Sequence, residues 1–282
     1  MSQEHKAPFA NIVAELCSSS KSDIFRTSIG DSLVVPSRSR ALCSAVFAQI
    51  KKNQTTFLMT STHLQAQSLA IDLIQFLGSD SVELLPAWET LPFERVSPAI
   101  ETMGHRCRVQ TRLVSNDKPK IVVCSVRAAM QKISTSLLRT KIQINKGSEI
   151  DRDILIEQLV SSGYSREFQV EARGECAVRG SIVDVFPSTS SHPIRVEFWG
   201  DEVERMSYFS LADQRSTNVC ELVEIYPARE LVINKEIKET AAQMAVEHLW
   251  AQQQFDSISE GLIFDGMESF LPFLTNDNQG IL

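Results

Sequence analysis

Short apolar runs alternate with stretches of helical spacing along the first 140 residues. Strands are predicted at 32–36, 55–60, 81–86 and 120–126, with helices between them. The helix after the second strand is the best marked, because Thr62 is a suitable N-cap, Gln65 stands at the capping-box position and Gly78 can end it. This alternation predicts an α/β domain with a parallel sheet.

The pattern changes near residue 140. A predicted helix, DRDILIEQLVSSG, ends at Gly163 and is followed by a strand-rich stretch from Tyr164 to about Pro227. A helical segment begins at Ala228. The sequence therefore predicts three parts, namely an α/β domain over 1–140, an inserted α+β domain over 141–227 and a partial return segment over 228–282.

The run from Ile194 to Trp199 alternates as a strand does. Ile194, Val196 and Phe198 share one face, and Arg195, Glu197 and Trp199 share the other, which is an unusual place for a tryptophan. Suppose that the strand ending at Phe186 pairs antiparallel with the strand starting at Ile194. Suppose also that two directly opposed residues are either both odd-numbered or both even-numbered. A single face then carries a set of residues that also includes two valines: Arg179, Ser181, Val183, Val185, Arg195, Glu197 and Trp199. The register after Gly200 stays open.

Two arginines beside a tryptophan are typical of a protein-binding hot spot, because these side chains make large desolvated contacts at low entropic cost. The alternative is that another domain or a helix of this chain covers Trp199. Asp184 interrupts the apolar run SIVDVF, and burial there predicts a neutralising partner such as an arginine.

Charge is unevenly distributed along the 282 residues. The net charge is −7 overall, but it is +5 over residues 1–140 and −12 over the remainder. The acidic part disfavours nucleic acid, whereas Arg106, Arg108 and Arg112 in HRCRVQTR form a possible helical DNA contact. No apolar stretch approaches the ~20 residues of a membrane span, and the N-terminus lacks signal-peptide features, so we expect a cytoplasmic protein.

Signals for a cofactor or for catalysis are weak. The six cysteines and five histidines show no metal-ligand spacing, so a structural zinc is not expected. The corner LVVPSRSRALCSAV has neither the glycines nor the lysine of a phosphate-binding loop. Arg38 and Arg40 can hold an anion there, although solvated surface is the favoured interpretation. The acidic groups DRD and DEVE are explained by capping and solvation. We expect no bound cofactor, no metal and no catalytic residue in this chain.

Three stretches, LLPAWETLPFERVSP, KIVVCSVRAAMQ and the segment from GYSREFQ to LADQRS, resemble the N-terminal region of the bacterial transcription-repair-coupling factor family. The resemblance begins near residue 55 and covers most of the chain beyond it. It implies a RecA-like α/β domain with a degenerate nucleotide site, an inserted α+β domain similar to that of UvrB, and a return segment that packs on the first domain.

The resemblance also implies partners. In the family the inserted domain mimics UvrB and binds UvrA, and the contact residues match Arg179, Arg195 and Trp199, the last at a position that is often Phe. The full-length family is an ATP-dependent DNA translocase that binds RNA polymerase and double-stranded DNA through further domains, where ATP and Mg are held. We expect this chain to be a fragment without those activities. The alternatives are a UvrB-like ATP-dependent helicase, which the missing phosphate-binding loop disfavours, and a DNA-binding module that uses the basic first part.

Overall fold

The structure is a computed structural model that describes residues 7–19, 34–51, 54–134, 141–275 and 278–279. The α-helices are α1 (Ala10–Ser18), α2 (Arg40–Ile50), α3 (His63–Leu77), α4 (Ile100–Val114), α5 (Val126–Met130), α6 (Arg152–Ser161), α7 (Lys235–Glu247), α8 (Gln252–Glu260) and α9 (Leu271–Leu274). The strands are β1 (Thr56–Thr60), β2 (Val82–Leu85), β3 (Ile121–Ser125), β4 (Ile133–Ser134), β5 (Ile142–Asn145), β6 (Ser165–Arg166), β7 (Glu175–Arg179), β8 (Ile182–Val185), β9 (Ile194–Trp199), β10 (Glu202–Phe209), β11 (Ser216–Val219), β12 (Leu222–Ile225) and β13 (Asn278–Gln279).

Two compact units divide the chain. The first contains the described residues up to Ala87 together with Arg112–Gln131, and the second contains Trp88–Thr111 and the described residues from Lys132 onward. The division into two units does not follow the predicted boundaries at 140 and 227. Residues 88–111 and the helical segment after Ala228 both belong to the second unit. The three-part division stays a prediction.

The first unit is built on a parallel sheet with the strand order β1-β3-β2, as the strand and helix alternation predicts. Strand β3 is buried at every position, which is typical of a central parallel strand. Helix α3 begins as predicted, because the Thr62 hydroxyl accepts a hydrogen bond from the Gln65 N–H, and Gly78 follows its last residue. Of the strand predicted at 32–36, residues 32 and 33 lie outside the described residues, and residues 34–36 are not in a strand.

The second unit contains a six-stranded sheet with the order β11-β10-β9-β8-β7-β6, which is antiparallel except for the β6–β7 pair. A separate pair joins β5 to β12. Helix α6 begins at Asp151, whose carboxylate accepts from the N–H groups of Asp153 and Ile154. Its buried side chains pack with one face of the sheet in a continuous core that includes Leu155, Leu159, Val183, Val196 and Met206.

Helices α7 to α9 form a second apolar core within the same unit. Asn234 caps α7, and the apolar faces of α7 and α8 pack around Phe255 and Phe270. The predicted helical segment is therefore confirmed as helical from Lys235 onward, with a break between α7 and α8, whereas residues 228–234 are not in a helix. None of the helices in the described part of the chain is both long and apolar enough to cross a membrane.

Candidate partner-binding surface

Trp199 ends strand β9, and the strand pairing defines the face on which it lies. Ile182 is opposite Arg179 on one side and opposite Glu197 on the other. Because directly opposed residues of antiparallel strands point to the same face, and residues two apart on one strand do as well, Arg179, Arg195, Glu197 and Trp199 share one face. The structure thus brings together the arginines and the tryptophan that the sequence selected.

The assumed register is nevertheless wrong for the other members of that set. Val183 pairs with Val196, and Val185 pairs with Ile194, so each odd-numbered residue of β8 is opposite an even-numbered residue of β9. Both valines are therefore buried in the core on the opposite face. The β7–β8 pair also places odd-numbered residues opposite even-numbered ones. The two one-residue shifts cancel, so Arg179 still lies on the same face as Trp199. Ser181 lies in the turn between β7 and β8.

Strand β10 adds two residues that the sequence reasoning missed. Glu202 pairs with Trp199, but a bulge at Glu204 shifts the register, and Arg205 pairs with Glu197. Glu202 and Arg205 consequently share the face of Trp199, and both are exposed. The sequence does show that the apolar residues change between odd and even positions after Gly200. This change indicates a bulge but does not fix its position.

Arg195 is engaged within the sheet. Its Nε and Nη2 donate to the two carboxylate oxygens of Asp184 at 2.7 and 2.8 Å, and Nη1 donates to the Gln214 carbonyl at 3.1 Å. The guanidinium also lies 4.9 Å from the centroid of the Phe209 ring. The hydrogen bonds to Asp184 raise the pKa of Arg195. Asp184 therefore has the arginine partner that its buried position predicts, and only 14% of the Arg195 side chain is exposed.

The residues left accessible on this face form what we call the Arg–Trp surface: Arg179, Ile182, Glu197, Trp199, Glu202 and Arg205. Trp199 is 77% exposed, and Arg179 and Arg205 are exposed as well. Ile182 and Glu197 are half-buried between them. An accessible indole among two cations and two carboxylates can bind a protein surface that has an apolar pocket and acidic groups opposite the arginines.

The three arginines predicted as a DNA patch are not a common exposed surface. Arg106 is completely buried in the second unit, where its Nε donates to Glu230 at 2.7 Å. Arg112 is buried in the first unit and donates to Glu83 at 2.7 Å and to the Asp80 carbonyl at 2.6 Å. Arg108 is half-buried with its guanidinium 5.7 Å from the centroid of the Tyr226 ring. The interpretation as a surface patch is wrong for Arg106 and Arg112, because both neutralise buried carboxylates.

The corner where a phosphate-binding loop was sought forms an open groove of about 830 Å³ in the first unit. Arg38 and Arg40 line it from the start of α2, and Thr60 and Ser61 line it from the end of β1. None of the described residues that line it is a glycine, so these residues do not offer the close backbone approach that cradles a nucleotide phosphate. Among the described residues, no group of three or more His, Cys, Asp or Glu side chains is placed to hold a metal ion.

Comparison with known proteins defines the class of the sheet domain. Residues 142–231, which contain β5 to β12, match the family model of the UvrB interaction domain.

Relatives identify the larger protein family. The chain is a homologue of transcription-repair-coupling factors over most of its length. It is 36% identical to the Mycobacterium tuberculosis protein of that name over 267 residues, which cover 89% of this chain and 21% of the relative. Identity to the Bacillus subtilis and Escherichia coli factors is 33% and 26%, over 71% and 84% of this chain and 17% and 21% of those relatives. The chain therefore spans about a fifth of the length of these relatives.

Proposed function

We propose that this chain is a non-enzymatic adaptor whose UvrB interaction domain binds UvrA and thereby recruits excision repair during transcription-coupled repair of damaged DNA. The observation that carries the proposal is the exposed Trp199 beside Arg179 on one sheet face of that domain. The domain match and the related transcription-repair-coupling factors support the choice of UvrA as the partner.

The residues of the Arg–Trp surface have different roles in this proposal. Trp199 is the apolar anchor, because desolvating an exposed indole supplies most of the affinity of a hot spot. Arg179 and Arg205 offer charges that set the register with an acidic partner surface. Arg195 is a positioning residue, since its two hydrogen bonds to Asp184 tie the strand that carries Trp199 to β8.

The activities of the full-length relatives are assigned to parts beyond this chain. We propose that ATP hydrolysis, translocation on double-stranded DNA and contact with RNA polymerase belong to further domains of a transcription-repair-coupling factor. The missing phosphate-binding glycines and lysine support this division of roles. The same missing residues disfavour a UvrB-like helicase activity of the isolated chain.

Titration calorimetry against UvrA from the same organism tests the proposal. We expect the wild-type chain to bind, and Arg179→Ala and Trp199→Ala each to weaken binding by about 2 kcal/mol, roughly thirtyfold. Trp250→Ala is the matched control, because Trp250 is also an exposed tryptophan, at 60%, but lies outside the UvrB interaction domain. If the chain binds UvrA and neither surface substitution changes the affinity, UvrA is the partner but the Arg–Trp surface is not the contact. Complete absence of binding by the folded wild type rejects the adaptor function.

A further inference from the structure

A second exposed apolar surface lies at the junction of α7 and α8. Val246, Leu249 and Trp250 occur within five residues and are 78%, 75% and 60% exposed. Single exposed apolar side chains are ordinary, but a contiguous group of them marks an interaction site. The proposed UvrA contact does not use these residues.

The ring of Trp250 is held by other aromatic side chains. The Phe93 ring meets it edge-on at 5.4 Å between centroids, and the Phe270 ring stacks at 6.3 Å. Phe93 itself has a φ of +64°, an unfavourable conformation for a bulky residue, and its N–H donates to the Ser269 hydroxyl at 3.0 Å. An indole held in this way loses little conformational freedom when a partner binds.

Leu249 and Trp250 line an open groove of about 600 Å³ that runs beside α8. Asp256 and Glu260 line the same groove, and they lie one turn apart on one helix face. Residues 239–282 contain seven Asp or Glu residues and neither Lys nor Arg. The groove is therefore apolar at one end and negatively charged along its side.

We propose that this groove binds a basic amphipathic helix of a protein partner. The apolar side of such a helix fits against Leu249 and Trp250, while Lys or Arg side chains pair with Asp256 and Glu260. A cation above the accessible part of the Trp250 indole adds a cation–π contact. We call the site the α8 groove, defined by Leu249, Trp250, Asp256 and Glu260.

Charge favours this occupant over two others. A nucleic acid backbone is repelled by Asp256 and Glu260, and none of the described residues that line the groove is Lys or Arg, although Lys238 lies close by beside Gly261. A second copy that met the groove through the same groove would place two sets of Asp256 and Glu260 together, because a two-fold interface pairs identical surfaces. The basic helix is the occupant that satisfies both the charged side and the apolar end.

Two designed peptides of about 18 residues test the proposal. Both carry leucines on one helical face, and the other face carries lysines in one peptide and glutamates in the other. The chain has three tryptophans, so its ¹H–¹⁵N spectrum gives three indole signals that Trp→Phe variants assign. We expect the lysine peptide to shift the Trp250 signal and not that of Trp199, and we expect the glutamate peptide not to bind.

Variants distinguish peptide binding in the α8 groove from non-specific binding elsewhere on the chain. We expect Trp250→Ala, and independently the double variant Asp256→Asn with Glu260→Gln, to weaken binding of the lysine peptide at least tenfold. The double variant keeps the aromatic cluster intact, and Trp199→Ala is the matched control that should bind normally. Equal binding of both peptides, or binding that neither groove variant affects, overturns the proposal. A concentration-dependent dimer that Trp250→Ala abolishes assigns the groove to a second copy instead. UvrA binding is measured separately, so each proposal can fail without the other.

Discussion

At the scale of single residues, the Asp184–Arg195 pair is a buried ion pair on the same sheet face as Trp199. The Asp184 side chain is 1% exposed, so Arg195→Ala leaves a buried carboxylate without its cation. We expect Arg195→Ala to lower the free energy of unfolding by about 3–5 kcal/mol, because an uncompensated buried charge is costly. Urea denaturation followed by circular dichroism measures this loss.

Arg179→Ala is the matched control for that measurement, since Arg179 lies on the same face but is exposed. We expect it to change the unfolding free energy by no more than about 0.5 kcal/mol. Equal effects of the two substitutions on stability would contradict the positioning role of Arg195. A loss of UvrA affinity in Arg195→Ala is then interpreted only after folding has been verified.

Tyr164 gives the stability of the sheet domain a pH dependence. Its hydroxyl donates to the Tyr226 carbonyl at 2.7 Å and accepts from the Ser188 N–H at 3.0 Å, and burial raises the pKa of Tyr164 to about 12. Because the unfolded phenol has a pKa near 10, the unfolded chain loses its proton first as the pH rises. The stability from this group is complete below pH ~10 and is lost between pH ~10 and ~12.

We therefore expect Tyr164→Phe to be less stable than the wild type at neutral pH, with a difference that shrinks between pH ~10 and ~12 by about 2 kcal/mol. Denaturation of both proteins across that range provides the comparison. A constant difference would show that ionisation of Tyr164 is not linked to unfolding.

The sequence was informative about individual side chains where the signal was local. Alternation over 194–199 indicated correctly that Trp199 points away from the core, and the polar interruption of an apolar run indicated that Asp184 needs a partner. It was not informative about Arg106, because its partner Glu230 lies 124 residues away. A basic residue on a helix was interpreted as surface, since burial with a distant carboxylate leaves no local pattern.

At the scale of elements, α4 makes an unusually close approach at Gly104. A Cβ atom at that position would lie 2.4 Å from both Cβ and Oγ of Ser188, whose hydroxyl is itself bonded to the carbonyls of Tyr226 and Pro227. Alanine is the better helix former by about 1 kcal/mol, but that gain is smaller than the cost of displacing a bonded, buried side chain.

We expect Gly104→Ala to lower the midpoint of thermal unfolding by several degrees, because about 1–3 kcal/mol of overpacking outweighs the improved propensity. A melting curve followed at 222 nm is sufficient. A midpoint that rises would mean that propensity decides at this position and that the backbone moves without cost.

Helix ends were predictable because the cap residues are close in sequence to the groups they bond, as at Thr62 and Asp151. Strand register was less predictable. The β8–β9 pairing and the bulge at Glu204 depend on how an entire sheet face packs, and a shift of one residue moved Val183 and Val185 from the assumed face into the core.

At the scale of the whole molecule, the division into two units depends on contacts between distant segments. Trp88 donates its indole N–H to Glu230 at 2.6 Å across 142 residues, and Arg106 reaches the same carboxylate. These contacts are within the second unit, to which residues 88–111 belong although they precede the predicted boundary at 140. Composition changes indicated a boundary but did not reveal that one segment returns to another.

A titration series distinguishes whether Trp199 is the residue that anchors UvrA on the Arg–Trp surface. UvrA is titrated with the wild type, Trp199→Phe and Trp199→Ala. Because the anchor is an apolar ring, we expect Trp199→Phe to keep affinity within a few-fold and Trp199→Ala to lose roughly thirtyfold. Equal affinity of all three folded proteins for UvrA would contradict this role of Trp199.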